Sequence, residues 1–392
     1  MNFDTIVIGA GFAGIVLAER LARVNGAHIL IVDQRNHIGG NCFDFFDNHG
    51  ILIQKYGPHI FHTDNLNVWT YLSQFTKWVH YQHKVQGKID GQEVPIPFNL
   101  NTLYALMSHT VASRIEEKLI HEFGFGKSVS IEKLRKSDDE DLQFLGEFVY
   151  EKIFLNYTIK QWGMKPEEIS PEVSARVPVV ISRDDRYFHD RFQGLPKYGF
   201  TRMFEKMLDH PNIKILLNTS MQEIIDIHID TGEIFFMGHR FDGKLVFTGM
   251  LDSLFDFKYG ELPYRALKFE FENIQKNYFQ EVAVMNYPNN YDFTRITEFK
   301  HMTGQQHRHT TVLYEYPCQY DKNDPEKNIP CYPILNPENK RRLRQYMDLT
   351  SRIDNIILLG RLAEYKYYDM DDIVARSLEI FENIFYTPSS NI

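Results

Sequence analysis

The sequence predicts an α/β fold. Its base is a parallel-sheet nucleotide-binding domain, carrying an inserted helical domain and an antiparallel β-sheet domain. Three observations lead there. An apolar strand, Ile6–Ile8, runs into Gly9-Ala10-Gly11-Phe12-Ala13-Gly14. A second apolar run, Ile356–Leu359, meets Gly360-Arg361 and then an aromatic and acidic cluster from Tyr365 to Asp372. Between them, helical periodicity over about 101–171 gives way to a series of strand-like runs.

The first βαβ unit follows from its glycines. Gly9 permits the tight turn, Gly11 lets backbone approach a pyrophosphate, and Gly14 lets the helix pack on the strand. The helix over about 13–24 points its N-terminal amides and its positive dipole end at the phosphates. The next apolar strand, His28–Val32, ends at Asp33. That acid lies roughly 20 residues on, where a carboxylate accepts ribose hydroxyls. The alternative, a glycine turn kept only for packing, leaves Asp33 unexplained. A second glycine pair, Gly39-Gly40, follows within Arg35–Asn41 and would let backbone lie against an extended cofactor.

In the helical region, Ser137-Asp138-Asp139-Glu140 matches a capping box ahead of Leu142, Leu145, Val149 and Ile153 at helical spacing. Val94–Phe98 reads as a strand end or loop, because Pro95 and Pro97 cannot donate to a ladder. Strand-like runs at Ile213–Leu217, Lys244–Thr248, Ala266–Phe271 and Thr310–Tyr314 fill the second half. A final helix over about 370–384 follows the Gly360 strand, with a frayed tail after it. Gly304–His309 reads as a polar turn, and its two histidines as surface residues rather than metal ligands.

Composition narrows the function. The chain has 392 residues, a formal charge of -9 and 43% hydrophobic content, enough for two or three cored domains. That charge argues against nucleic acid as a partner. Cys42, Cys318 and Cys331 lack metal-ligand spacing and suggest no disulfide framework, so no metal is expected and a reducing cytoplasm fits. No signal peptide and no transmembrane segment are visible.

Four further segments stand out: two histidines three apart, His59 and His62, in a loop; Asn156–Gly163 with its aromatic and amide side chains; Arg176 in Ser174–Pro178; and Arg295 in Phe293–Glu298. Taken singly they are ordinary. Loop histidines are usually structural, a tryptophan after a helix is usually core, and an arginine among apolar residues usually pairs with an acid.

Together they resemble one family, the UDP-galactopyranose mutases. The resemblance runs through GAGFAG (9–14), RNHIGGN (35–41), GPHIFHT (57–63), NYTIKQWG (156–163), SARVPV (174–179) and DDRYF (184–188). It continues through LPKYGF (195–200), VFTG (246–249), LPYRALKFE (262–270), FTRITEFKH (293–301), YEYP (314–317), YPI (332–334) and GRLAEYKYYDMD (360–371). The Gly39-Gly40 pair also resembles that of amine-oxidase-like flavoproteins, which favours FAD over NAD.

The resemblance implies a discontinuous Rossmann-like FAD-binding domain over 1–83, 196–260 and 336–392. It places a helical domain with a mobile substrate loop at 100–172, and an antiparallel sheet domain at 84–99, 173–195 and 261–335. FAD is implied to be non-covalently bound and held by Gly9, Gly11, Phe12, Ala13, Gly14, Asp33, Gly39, Gly40, Asn41, His59, Ile60, Gly360, Arg361, Asp369 and Met370. The implied reaction interconverts UDP-galactopyranose and UDP-galactofuranose, with N5 of reduced FAD attacking the anomeric carbon and UDP leaving. Arg176 and Arg295 would clamp the diphosphate from opposite sides. A guanidinium suits that task, being permanently charged and forked.

In the same pattern Tyr157 and Trp162 lie along the uridine, and Tyr187, Tyr316, Tyr332 and Tyr367 offer hydroxyls to phosphate and sugar. His62 sits beneath the isoalloxazine with His59 near it, and Asp369 lies by flavin and sugar. A loop around 162–170 closes over the nucleotide, and a cytoplasmic homodimer is expected. Three positions depart from the pattern: Met250 where proline is expected, His83 where asparagine is common, and Glu364 in place of a small polar residue. A carboxylate at 364 would weaken diphosphate binding unless it points away. The alternative function is an amine-oxidase-like flavin oxidoreductase with an apolar site. The alternative role for each arginine is a structural ion pair, for example with Glu298 or Asp184.

Overall fold

The computed structural model describes residues 2–164, 178–334 and 339–386. Arg176, most of the segment expected to close over the nucleotide, and the expected tail lie outside the described residues.

Strand β1 (Thr5–Ile8), helix α1 (Phe12–Asn25) and strand β2 (Ile29–Val32) form the first unit. β3 (Val85–Ile89) and β4 (Gln92–Ile96) form a hairpin through Asp90-Gly91, both at positive φ. That two-residue turn suits the twist of the flanking strands. The helical insertion contains α2 (Glu140–Val149), a π-wound turn at Tyr150–Leu155, and α3 (Asn156–Trp162). β5 (Ile213–Leu216) and β6 (Lys244–Phe247) return to the first unit. Next come β7 (Tyr264–Ile274), β8 (Val284–Asn286), β9 (Arg295–Glu298), β10 (Thr310–Gln319) and β11 (Pro330–Pro333). β12 (Ile356–Leu358) and α4 (Met370–Ile380) end the regular structure, apart from a last π-wound turn at Phe381–Phe385.

One sheet is parallel throughout, in the order β5-β2-β1-β6-β12. Its side chains divide by the strand period of two. Val7, Ile29, Ile31 and Val246 join the core under α1 and α4. Ile6, Leu30, Val32, Leu245 and Phe247 join a second core on the other face. Burial on both faces is what a parallel sheet requires.

The larger sheet has seven strands in the order β11-β7-β10-β9-β8-β3-β4. It is mixed rather than purely antiparallel, because β8 runs parallel to β3 with Val284 opposite Val85. The two strands are far apart in sequence, so their connection is long enough for a parallel pairing. Pro95 stands inside β4 rather than after it, and β4 is an edge strand, where a missing N–H breaks no ladder. Leu142, Leu145 and Val149 of α2 share a third core with Val85, Val284 and Leu313 of this sheet. Each such buried side chain contributes about 1.5–3 kcal/mol. The cap of α2 is Asp139, not Ser137: its carboxylate accepts the amides of Asp141 (3.0 Å) and Leu142 (3.2 Å). Asp139 directly precedes the first helical residue, the position from which a side chain reaches the free amides. No helix among the described residues is long and apolar enough to cross a membrane.

Candidate active site

The parallel sheet reverses its strand order between β1 and β6, and ligands of such sheets bind at that switch point. Gly9, Thr248 and Gly360 follow β1, β6 and β12 there. A Cβ on Gly9, at φ 108°, would lie 1.9 Å from Thr248 Oγ1, while that hydroxyl donates to Ile8 O at 2.8 Å. A Cβ on Gly14 would lie 2.1 Å from Gly9 O, which fixes α1 against its strand. Gly40, at φ 56°, faces Gly11, and a Cβ on it would come 2.9 Å from the Gly11 Cα. Two glycine turns thus meet backbone to backbone at the N-terminus of α1, a cradle that side chains would fill. Such a cradle fits a dinucleotide pyrophosphate.

Asp33 stands at the end of β2, where its carboxylate accepts the amides of Ala10 (2.8 Å) and Arg35 (2.9 Å). Arg35 in turn donates to Asn41 Oδ1 at 2.9 Å. Phe12 turns its ring into the core, edge-on to Phe204, so only its backbone faces the cradle. Gly360 packs on Ala13, with its would-be Cβ 3.3 Å from the alanine methyl. Asp369 caps α4 and Met370 opens it, with the sulfur of Cys42 3.7 Å from that of Met370. Ile60 is buried, and His59 Nδ1 lies 2.9 Å from Gly57 O.

A cavity of about 560 Å³ opens beside this cradle. His62, Tyr157, Tyr187, Tyr367 and Asp369 line it, together with apolar residues such as Phe154. His62 Nδ1 lies 3.1 Å from Asp190 Oδ2, and its ring stacks on Phe188 at 3.7 Å. Tyr367 donates to Asp369 Oδ1 at 3.0 Å and lies parallel to Tyr332, with centroids 6.1 Å apart. Trp162 also meets Tyr332, with centroids 6.0 Å apart and the rings tilted. The Arg361 guanidinium sits about 5 Å from both tyrosine rings and donates to the carbonyls of Cys331 and Tyr368.

Arg295 lies near Tyr157 and Tyr332 of this group. Its Nε lies 2.8 Å from Glu315 Oε2, and Glu315 is wholly buried. Burial pushes the Glu315 carboxyl up, against the pull of Arg295. Burial alone would lower Arg295, but Glu315 and the nearby tyrosines outweigh it and keep the cation. Burial raises Tyr157 and Tyr332, so both remain neutral phenols. Burial, aided by Arg295 and His62, holds the buried His83 at about 3. Burial with Arg361 and Arg295 holds His59 at about 4. Both histidines are therefore neutral donors or acceptors around pH 7.

Several expectations are corrected here. The acid beside Arg295 is Glu315, its direct cross-strand neighbour, and not Glu298. Glu298 instead accepts from Thr310 and from the amides of Phe279 and Gln280. Asp184 pairs with Arg186. Glu364 does not face the cradle as a bare charge. Its Oε2 accepts the Gly360 amide at 3.0 Å, and its Oε1 lies 3.1 Å from Arg376 Nε. Sequence reasoning assigned no role to Glu315, Phe188 or Arg265, although each lies inside a quoted motif; Asp190 lies just beyond one.

Comparison with known proteins adds to this geometry. A family model described as UDP-galactopyranose mutase matches residues 152–367, and one described as an NAD(P)-binding Rossmann-like domain matches residues 7–75. The chain is 37% identical to a "probable UDP-galactopyranose mutase" of Klebsiella pneumoniae, covering 96% of this chain and 94% of that one. It is 36% identical to the UDP-galactopyranose mutase of Mycoplasma pneumoniae, covering 98% and 96%. It is also 34% identical to a dTDP-fucopyranose mutase of Escherichia coli, covering 95% and 96%. Among solved structures, reduced UDP-galactopyranose mutase superposes with a TM-score of 0.71 at 16% identity, covering 97% and 93%. A putrescine oxidase superposes with a TM-score of 0.57 at 10% identity, covering 96% and 97%. At those identities the two structures speak for the fold alone.

Proposed function

The chain belongs to the UDP-galactopyranose mutase family, and on that premise we propose that it binds FAD and, with the flavin reduced, interconverts UDP-galactopyranose and UDP-galactofuranose. The observation that carries this reading is the half-buried Arg295, paired with the fully buried Glu315 and close to Tyr157 and Tyr332, beside the cavity that His62, Tyr367 and Asp369 line. A flavin oxidase acting on an apolar amine has no use for a fixed cation set among phenols. The glycine cradle and Asp33 fit the FAD pyrophosphate and ribose.

Reduced FAD, when bound, supplies a nucleophile at N5 for the anomeric carbon. The remaining work belongs to the chain. Arg295 meets the diphosphate, and its attraction grows as charge develops on the leaving group. Arg176, outside the described residues, is the proposed second arm of that clamp. Tyr157 and Trp162 lie along the uridine, and Tyr187, Tyr332 and Tyr367 direct hydroxyls toward phosphate and sugar. Asp369 orients the Tyr367 hydroxyl by accepting its hydrogen bond, and Asp190 and Phe188 fix the His62 ring, which would face the flavin. The cavity's apolar wall keeps water from the exposed anomeric centre. We take the working form to be a cytoplasmic homodimer, which light scattering on the purified protein tests.

The dTDP-fucopyranose mutase among the relatives favours one second reading, a thymidine nucleotide bearing a deoxysugar. Dithionite-reduced protein given UDP-galactopyranose or dTDP-fucopyranose separately decides between them. Turnover confined to the thymidine nucleotide would replace the first reading with the second.

A further inference from the structure

The short helix α3 carries Tyr157 to the cavity and Trp162 to Tyr332, and two cations, the buried Arg265 and the half-buried Lys160, tie it to different segments. Arg265 of β7 donates through Nη2 to Lys160 O and through Nε to Gln161 O, each at 3.0 Å. Those carbonyls lie in the last turn of the helix, where the backbone carries partial negative charge. Arg265 is 8% exposed, and among the described residues no carboxylate pairs with it, so the helix end is its counter-charge. Gly163 leaves it room: a Cβ there would lie 2.8 Å from Arg265 Nη1. Arg265 also stands directly opposite Tyr332 in the β7–β11 ladder, and Tyr332 is the ring that Trp162 meets.

Lys160 makes the second tie. Its ammonium donates to Tyr287 O (2.5 Å), Tyr291 O (3.0 Å) and Phe293 O (3.2 Å). That segment leads directly into β9, whose first residue is Arg295. Asn156 strengthens the same seam by donating to Asn289 Oδ1 at 2.8 Å. A lysine with three carbonyls on its three protons has a fixed place.

We infer that Arg265 and Lys160 are positioning residues of the nucleotide site: Arg265 seats the C-terminal end of α3, and Lys160 couples that helix to the segment that delivers Arg295. The stacking residues and the diphosphate clamp then move as one unit, so nucleotide grip and leaving-group stabilisation are set together. This inference rests on the proposed contact of Tyr157 and Trp162 with the nucleotide.

The test is a UDP titration of oxidised, FAD-loaded protein by calorimetry, with KM and kcat measured on reduced protein. Arg265→Met and Lys160→Met should each weaken UDP binding about tenfold and raise KM in step, with FAD content unchanged. Lys160→Arg keeps the charge and should recover most of the affinity. The same two Met substitutions are then made in a Tyr157→Ala/Trp162→Ala background, where they should cost less than about twofold because their effect runs through α3. Unchanged UDP affinity in both single Met variants overturns the inference. So does an equal loss in both backgrounds, which would mark a general structural role. If Tyr157→Ala/Trp162→Ala binds UDP like the native protein, the underlying reading of α3 fails and the inference falls with it. Should Arg265→Met not fold, the Lys160 variants carry the same test.

Discussion

Arg295 and Glu315 face each other across neighbouring strands β9 and β10, with Nε 2.8 Å from Oε2 and the carboxylate wholly buried. The pair gives one arginine two duties. In the proposed mechanism it is the cation for a departing diphosphate; toward the sheet it pairs with a fully buried carboxylate.

Arg295→Ala should therefore fail in two separable ways. Losing the clamp should lower turnover per bound flavin on the order of a hundredfold, a barrier increase of about 3 kcal/mol. Leaving Glu315 buried without its cation should cost on the order of 3–5 kcal/mol of stability. Arg295→Lys keeps a charge near Glu315 but loses the fork, so stability should recover more than turnover. Urea melts beside turnover per bound FAD separate the two. Near-native turnover in Arg295→Ala would end the clamp reading.

Gly40→Ala should strip flavin from the protein. Its Cβ would lie 2.9 Å from Gly11 Cα at a backbone φ of 56°, closing the cradle. Gly26→Ala is the control, since Gly26 also has positive φ but nothing lies within 4 Å of its Cβ. It should lower stability by about 1 kcal/mol and leave the flavin-to-protein absorbance ratio as it was. Equal flavin content in both variants would contradict the cradle.

Glu364→Ala tests the one departure that looked unfavourable in sequence. The carboxylate holds the Gly360 amide and lies against Arg376, so its loss should cost about 1–3 kcal/mol and loosen flavin retention. Tighter FAD or UDP binding in the variant would show instead that the charge repels diphosphate.

The pH dependence of stability should carry a signature of His83. Burial, then Arg295 and His62, hold this imidazole at about 3 in the folded protein, whereas an unfolded histidine protonates near about 6.5. Between those values the unfolded chain binds the extra proton, so stability falls as pH drops through this window. His59, held at about 4, acts in the same direction. His83→Asn should flatten the slope of unfolding free energy by up to about 1.4 kcal/mol per pH unit between pH 6 and 4. An unchanged slope by urea denaturation would mean that His83 titrates normally.

The sequence made visible what depends on neighbours in the chain. Gly9, Gly11, Gly14 and Asp33 could be placed because a strand, a turn and a helix follow one another within a short stretch, and so could the alternating strands of the parallel sheet. What it hid depends on distant partners. Glu315 opposes Arg295 only because β9 and β10 pair in one register, whereas Glu298, three residues from Arg295, was the acid that sequence proximity offered. Arg265 reaches the end of α3 from a strand about a hundred residues away. The parallel β8–β3 pairing joins segments from opposite halves of the chain, and nothing local to Val85 announces it. Asp139 displaced Ser137 as the cap because only the residue directly before the first helical turn reaches its free amides, and the helix starts two residues later than the capping-box match implied.

The most direct test of the central claim is anaerobic conversion of UDP-galactofuranose by the purified flavoprotein, with and without dithionite, followed by chromatography and normalised to bound flavin. The account predicts UDP-galactopyranose only when the flavin is reduced, with UDP bound by either form. Equal turnover by oxidised and reduced protein would contradict it.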